Sequence, residues 1–337
     1  MNKILIIQTA FIGDVILATS LIEEVAKKFP NSSIDFLLRN GNQSILKENP
    51  LVNKVIIWNK NKNKNLNLFK IILKLRKEKY DTVINIQRFF NSGLMTVLSG
   101  AKVKIGFHNN PLSFFFTHKI EHKIPFIIDG KTQHEVQRNS LLLSPLISDA
   151  NSNIYKPKIY FNKNENLKIQ KIVKDLTKKY IVLAPSSVWY TKQWHKDKWI
   201  ELMGMLSCDF NLFCIGGPDD KEYIDSICKD IDNTTNFAGM LSLTESALLM
   251  KNAARVFVND SAPLHLASSV DAKTTAIFCS TIKDFGYFPL STDSALVETQ
   301  KKLECRPCGL HGKASCPKVH FDCSNTIEIE AVFRTVQ

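Results

Sequence analysis

The chain has 337 residues, 44% of them hydrophobic, and a formal net charge of +12. That length suits two domains of roughly 150–170 residues, and no apolar run reaches the roughly 18 residues of a membrane-spanning helix. The excess charge is one-sided: residues 1–160 carry 23 Lys and Arg against 11 Asp and Glu, whereas residues 161–337 carry 21 of each. A field of that kind favours a polyanionic partner, and nucleic acid, anionic lipid and a phosphorylated glycan all qualify.

Lys3–Gln8 is a continuous apolar strand. Only Lys3 precedes its core and no small-residue cleavage site follows closely, so it is not read as a signal peptide, and a cytoplasmic protein is expected. Val15, Ala18, Leu21, Ile22, Val25 and Phe29 recur at helical spacing and predict a helix over 14–28, stopped by Pro30. Strands follow at Ser33–Leu38 and Lys54–Trp58. The Asn/Lys tract Asn59–Asn67 reads as a solvated loop, and Phe69–Lys79 as a basic helix with a solvated face; peripheral contact with anionic lipid is the sharper reading of that helix. Asp81–Ile86 is a strand, and a hydrophobic helix containing Gly93 and Gly100 comes next. A short strand at Lys104–Phe107, an irregular aromatic-rich stretch over 108–132 and a helix at His134–Leu146 complete the first half.

The polar segment Ser148–Pro157 links the halves. Beyond it, strands are predicted at Tyr180–Ala184, Leu212–Ile215, Thr234–Phe237, Arg255–Val258 and Thr274–Phe278, with helices between them. Ser242 and Glu245 form a capping box opening one of these helices. Strands alternating with helices imply parallel sheets. The expected organisation is a first α/β domain over 1–155, a second over 156–325, and a last helix over 326–337 packing back on the first.

Two strand-to-helix turns carry carboxylates. In open α/β sheets ligands bind at the carboxyl ends of the strands. Asp14 follows the first strand behind Gly13, where it is either an N-cap or a general base taking a proton from an attacking hydroxyl. The turn has a single glycine and the second strand ends in Arg39, which argues against a dinucleotide site. No G-x-x-x-x-G-K-[ST] occurs, which argues against a P-loop enzyme. The segment Ala184–Trp194 supplies Ser186, Ser187, Thr191 and Lys192 ahead of a helix. Hydroxyls, backbone amides and one cation suit a diphosphate, with Lys192 set against charge on a leaving group; the plain alternative is a polar loop with a snorkelling lysine. Asn259-Asp260-Ser261-Ala262-Pro263 opens another helix ready for an anion, with His265 one turn along. Gly216-Gly217-Pro218-Asp219 feeds a helix that Asp219 would cap, and Glu222 is placed to accept from ribose hydroxyls or to sit exposed.

Cys305, Cys308, Cys316 and Cys323 are clustered, and four thiolates so spaced suit a structural zinc; a reduced, metal-free loop is the alternative. Cys208, Cys214, Cys228 and Cys279 are scattered in apolar settings, as buried thiols are.

Taken in order, Gly13–Thr19, Pro185–Trp194, Phe213–Asp219, Asn236–Gly239 with Leu243, and Asn259–His265 resemble the ADP-heptose:lipopolysaccharide heptosyltransferases of glycosyltransferase family 9 over almost the whole chain. The resemblance implies the GT-B architecture, two Rossmann-like parallel-sheet domains facing a central cleft, with acceptor on the first and nucleotide-sugar on the second. It implies an inverting transferase that needs no metal for its chemistry. Asp14 matches the family's base and Lys192 the residue that neutralises the departing diphosphate. Ser186, Ser187, Asp260, Ser261, Ala262 and His265 fall in the donor blocks, and Gly239 and Met240 near the nucleotide base. The family often has Gly where this chain has Ser186 and Ala262, so the donor sugar is left open. A phosphorylated glycolipid acceptor at the inner membrane surface would meet the basic first half, with Lys60, Lys62, Lys64, Arg88, Lys102 and Lys104 as candidate contacts. A family 9 transferase with another nucleotide-sugar or acceptor, and a non-catalytic polyanion-binding protein, are the rival readings. The absence of aromatics within Lys60–Lys64 argues against nucleic acid as partner.

Overall fold

The structure, a computed structural model, describes residues 2–60, 63–150 and 154–336. The chain divides into two compact units, Met1–Tyr160 and Phe161–Gln337.

The first unit is built on β1 (Lys3–Ile7), β2 (Ser33–Arg39), β3 (Val52–Trp58), β4 (Thr82–Asn85), β5 (Val103–Phe107) and β6 (His118–Ile120), with a small antiparallel hairpin of β7 (Ile127–Ile128) and β8 (Lys131–Thr132) beyond. Its helices are α1 (Ile12–Lys28), α2 (Lys64–Glu78), α3 (Phe90–Leu98) and α4 (Glu135–Ser140). The sheet is parallel, in the order β3-β2-β1-β4-β5-β6. Ile4, Leu5, Ile6 and Ile7 are wholly buried, as a central parallel strand covered on both faces requires.

The second unit repeats this plan with β9 (Tyr180–Ala184), β10 (Asn211–Cys214), β11 (Thr234–Asn236), β12 (Arg255–Asn259), β13 (Thr274–Phe278) and β14 (Ser294–Glu298). The order β11-β10-β9-β12-β13-β14 matches that of the first sheet. Its helices are α5 (Lys163–Val173), α6 (Lys196–Ser207), α7 (Lys221–Cys228), α8 (Leu243–Lys251), α9 (Ala262–Ser269), α10 (Asp322–Asn325) and α11 (Ile329–Phe333). The capping box of Ser242 and Glu245 opens α8 as expected. In each sheet the strand order reverses between the first and fourth strands, β1/β4 and β9/β12. In open α/β sheets, loops diverge at such a switch point and ligands bind at the carboxyl ends of the strands.

Several expectations are corrected. Helix α2 starts at Lys64, inside the tract read as loop, because Leu68 packs inward with Ile71, Ile72 and Leu75 and extends the buried face by a turn. Strands β6 and β14 were not expected; both are edge strands with mixed, partly exposed residues. Helix α4 stops at Ser140 and continues only as a 3₁₀ turn over Leu141–Leu143. Within the second unit, α11 buries Ile329 and Val332 with Trp199, Leu202, Met203 and Leu206 of α6.

Candidate active site

In the first unit, α1 leaves the carboxyl edge of β1 through Gln8–Phe11. The N-cap is Phe11, not Asp14, and no side chain caps it. Asp14 is the third helical residue, half-buried, and accepts hydrogen bonds from the Phe11 and Asp14 backbone. Burial raises its pKa from 3.8 to about 6, and the nearby Glu135 carboxylate pushes the same way, against the pull of those backbone bonds and of Arg88. Burial would also raise Glu135, the first residue of α4, but His122 and Arg138 hold it down at about 2. The Arg138 Nε donates to Glu135 Oε2 at 2.7 Å, and His122 Nε2 lies 3.2 Å from the same oxygen. A fixed anion thus stands behind an aspartate tuned close to neutrality, which is the profile of a general base. Sequence reasoning missed Glu135, since nothing in the chain announces that α4 packs beside α1.

Cations rim the same carboxyl edge. Arg39 ends β2, and its guanidinium lies 5.0 Å from the Phe11 ring centroid. Lys60, just beyond β3, donates to the Thr9 carbonyl at 2.7 Å and sits 4.7 Å over the Trp58 ring. Burial, with the neighbouring charges of Arg39 and Lys64, lowers its pKa. Arg88 follows β4, exposed, within electrostatic reach of Asp14. Lys64 is exposed at the first residue of α2. Lys62 lies outside the described residues. Lys102 and Lys104 do not belong to this group. They flank the start of β5, where Lys102 acts on Asp81, the carboxylate that binds the Asn2 and Lys3 amides ahead of the β1 core. That is the amino edge of the sheet, about 10–16 Å along β5 from the opposite rim. Arg39, recorded from the sequence only as a missing acidic residue, takes their place.

In the second unit, the loop leaving β9 carries Ser186 (buried), Ser187 (half-buried) and Lys192. Asn259, the last residue of β12, holds both ends of that loop. Its Nδ2 donates to the Pro185 carbonyl at 2.8 Å, and its Oδ1 accepts the Trp194 amide at 3.0 Å. Lys192 Nζ meets Asp260 Oδ2 at 2.7 Å, and the Thr281 hydroxyl donates to the same oxygen at 2.6 Å. Ser261 is the N-cap of α9, with Ala262 and Pro263 opening the helix. The Ser261 hydroxyl makes no cap bond, and Ser261 and Ala262 are half-buried. His265 is buried one turn on, its ring 6.3 Å from that of Tyr287. The site therefore gathers Lys192, Asp260, Ser186 and the start of α9 at the β9/β12 switch point. Asn259 and Thr281 were missed as individual residues; a buried amide at a strand end is the signal that marks Asn259.

At the carboxyl ends of β10 and β11, Gly239 has φ +74°, and its amide donates to the Gly216 carbonyl at 3.1 Å. A Cβ there would come within 3.0 Å of Pro218 Cα. Met240 beside it is 61% exposed. Asp219 does not cap: Asp220 accepts the Gly217 amide at 2.7 Å instead. Glu222 is exposed in the first turn of α7.

Cys305, Cys308, Cys316 and Cys323 line one hollow together with His320, whose Nε2 lies 3.8 Å from Cys305 Sγ. Among the described residues, however, no three His, Cys, Asp or Glu side chains are grouped so as to hold a metal ion. Hydrogen bonds hold the loop: Arg306 reaches the carbonyls of Phe278, Cys279 and Thr281, and Lys313 exchanges bonds with Thr191, the neighbour of Lys192. Of the other cysteines, Cys214 and Cys279 are buried, Cys228 is half-buried and Cys208 is exposed.

A model of glycosyltransferase family 9 (heptosyltransferase) matches residues 68–315. The lipopolysaccharide heptosyltransferase 3 of Escherichia coli is 27% identical over 286 residues, covering 80% of this chain and 82% of that protein. Among solved structures, the family 9 glycosyl transferase of Veillonella parvula superposes with a TM-score of 0.84 at 20% identity, over 99% of this chain and 96% of that one. The E. coli ADP-heptose lps heptosyltransferase II superposes with a TM-score of 0.80 at 18% identity, over 99% and 97% respectively. These likenesses give the fold, and it is the GT-B architecture expected from the sequence.

Proposed function

The chain belongs to glycosyltransferase family 9 (heptosyltransferase), and from that membership we propose that it moves heptose from ADP-heptose to a phosphorylated inner-core acceptor of lipopolysaccharide, with inversion at the anomeric carbon. The work falls to a cytoplasmic enzyme acting at the inner face of the inner membrane. Asp14 takes the proton of the acceptor hydroxyl. That oxygen forms the new bond to the anomeric carbon while the bond from this carbon to the β-phosphate oxygen breaks, and ADP departs with the electron pair. Lys192 and the amides opening α9 receive the developing charge. An ammonium has three donors, so the one held by Asp260 leaves two for phosphate.

The observation that carries this reading is the pairing of chemistry with topology. A carboxylate with a pKa of about 6 stands at the switch point of one sheet, and a fixed lysine stands at the switch point of the other. Gly239 and Met240 suit the nucleotide base, and Ser186, Ser187, Ser261, Ala262 and His265 the diphosphate and sugar. The chemistry uses no metal in this scheme.

The test is a donor screen. ADP-heptose and other nucleotide-sugars are supplied with deacylated lipopolysaccharide core, and products are weighed by mass spectrometry. A heptose adduct formed only from ADP-heptose is expected. An adduct from a different nucleotide-sugar alone would replace the donor, and no adduct from any would end the transferase reading.

A further inference from the structure

Helix α2 has two apolar faces. Leu68, Ile71, Ile72 and Leu75 are buried in the core of the first unit. On the other side Leu66, Phe69 and Leu73 are 50%, 58% and 44% exposed. At about 100° per residue these three fall within about 60° of the helix circumference, nearly opposite the buried face. A single exposed apolar side chain is ordinary, but a stripe of three at i, i+3 and i+7 is the mark of a second contact surface.

The charge around that stripe is of one sign. Residues 59–77 hold seven Lys and Arg and no Asp or Glu. Lys70 and Lys77 lie alongside the stripe, with Lys74 on one flank and Arg76 on the other, and all four are exposed. No ion pair engages these four among the described residues. Glu78, the nearest acid, is taken up by Lys3 at 2.5 Å and by Lys54.

We propose that the outer face of α2 docks on an anionic phospholipid bilayer, with Leu66, Phe69 and Leu73 entering the headgroup boundary and the surrounding lysines meeting lipid phosphates. Apolar side chains in line with a cationic collar suit that boundary, where acyl carbon lies directly beneath negative charge. A nucleic acid would use the cations but offers nothing to two leucines, which do not stack on bases. The proposal does not depend on the transferase reading, because docking needs neither donor nor acceptor.

The experiment is co-sedimentation of the full chain with vesicles of phosphatidylglycerol and phosphatidylcholine, against phosphatidylcholine alone. Binding to the anionic vesicles, weakened by salt, is expected. Leu66→Ser/Phe69→Ser/Leu73→Ser and, separately, Lys70→Glu/Lys74→Glu/Lys77→Glu should each lower partitioning by about 100-fold. The altered side chains are exposed, so circular dichroism and turnover of a deacylated, water-soluble acceptor should be unchanged. In a Phe69→Trp variant, indole emission should move to the blue when anionic vesicles are added. Failure to bind anionic vesicles would overturn the proposal. So would loss of binding in the charge variant with none in the serine variant, since the stripe would then not be buried. Tight oligonucleotide binding with no vesicle binding would assign the face to nucleic acid instead.

Discussion

Lys192 and Asp260 meet through a 2.7 Å ion pair that joins the loop leaving β9 to the residue after β12, across the switch point of the second sheet. Both partners are largely shielded, with 14% and 7% of their side chains exposed. The Thr281 hydroxyl fixes the same carboxylate oxygen, so the ammonium is placed before any ligand arrives. A cation that need not move when charge develops contributes more to a transition state than a mobile one.

Lys192→Ala should therefore lower kcat by about 10²–10³-fold and weaken ADP binding. Asp260→Asn keeps a hydrogen bond but frees the lysine to swing, so kcat should fall while the KM for donor changes little. Steady-state kinetics with calorimetry of ADP binding separates the two effects. Equal losses in kcat and ADP affinity for Asp260→Asn would make Asp260 a ligand contact rather than a positioning residue.

Asp14 predicts a pH profile and a stability change of opposite character. As a base it works only ionised, so kcat/KM should fall on the acid side with an apparent pKa near 6. In the unfolded chain the same carboxyl has an ordinary value near 3.8. Its folded value is raised, so the ionised form costs folding free energy. The penalty is complete above pH 6, shrinks as pH falls through 6 and is gone below about 3.8. Asp14→Asn should then stabilise the protein at pH 7 by about 1–3 kcal/mol while turnover drops about 10²–10⁴-fold. A thermal melt and a rate measurement on one sample suffice. Destabilisation with turnover intact would mean that Asp14 is only part of the helix start.

Glu135 supplies the second half of that argument. Its charge helps raise Asp14, so Glu135→Gln should carry the acid limb of kcat/KM to lower pH. It also takes a carboxylate away from the buried Arg138, and chemical denaturation should show a loss of about 3–5 kcal/mol. An unmoved acid limb in the folded variant would remove Glu135 from the tuning of the base.

Asn259→Ala breaks two bonds that clamp the Lys192 loop, to Pro185 and to Trp194. The buried Trp194 amide and Pro185 carbonyl would be left without these partners, at about 1–3 kcal/mol each. Denaturant unfolding should register that loss, and kcat should fall with it because the loop holding Lys192 is released. A stable variant with normal kcat would show that the Cys-rich loop, bonded to Thr191, positions Lys192 without help.

What the sequence made legible was local. Apolar runs bounded by helix-period patterns gave the central strands, and the motifs at their carboxyl ends gave Asp14, Lys192 and Asp260. What it hid depends on distant packing. Glu135 lies 121 positions from Asp14 and reaches it only because α4 rests beside α1. Lys102 and Lys104 looked like members of one basic surface, but a strand has two ends, and composition does not say which end faces the ligand. The start of α2 was concealed by an Asn/Lys tract, and Leu68, just past that tract, turns inward and decides the matter. The cysteine spacing did not show that Arg306 and Lys313 tie this loop to β13 and to Thr191.

The cationic rim gives the last expectation. Arg39 ends β2, and Lys60 and Arg88 follow β3 and β4, so a phosphorylated acceptor at the Asp14 turn would present its phosphates to them. Arg39→Gln and Arg88→Gln should each raise the KM for a phosphorylated core acceptor by about tenfold, with a smaller effect at high salt. Lys60 also braces the Thr9 carbonyl, so Lys60→Gln should lower kcat as well as raise KM. With an enzymatically dephosphorylated acceptor the two arginine variants should match the parent, because there is no anion left to hold. Lys102→Gln, at the opposite edge of the sheet, is the control and should leave both acceptors unaffected. If the arginine variants lose the same factor with and without acceptor phosphate, the rim shapes the loop and does not recognise charge. If Lys102→Gln behaves as they do, the acceptor lies along the amino edge, and Asp14 cannot be its base.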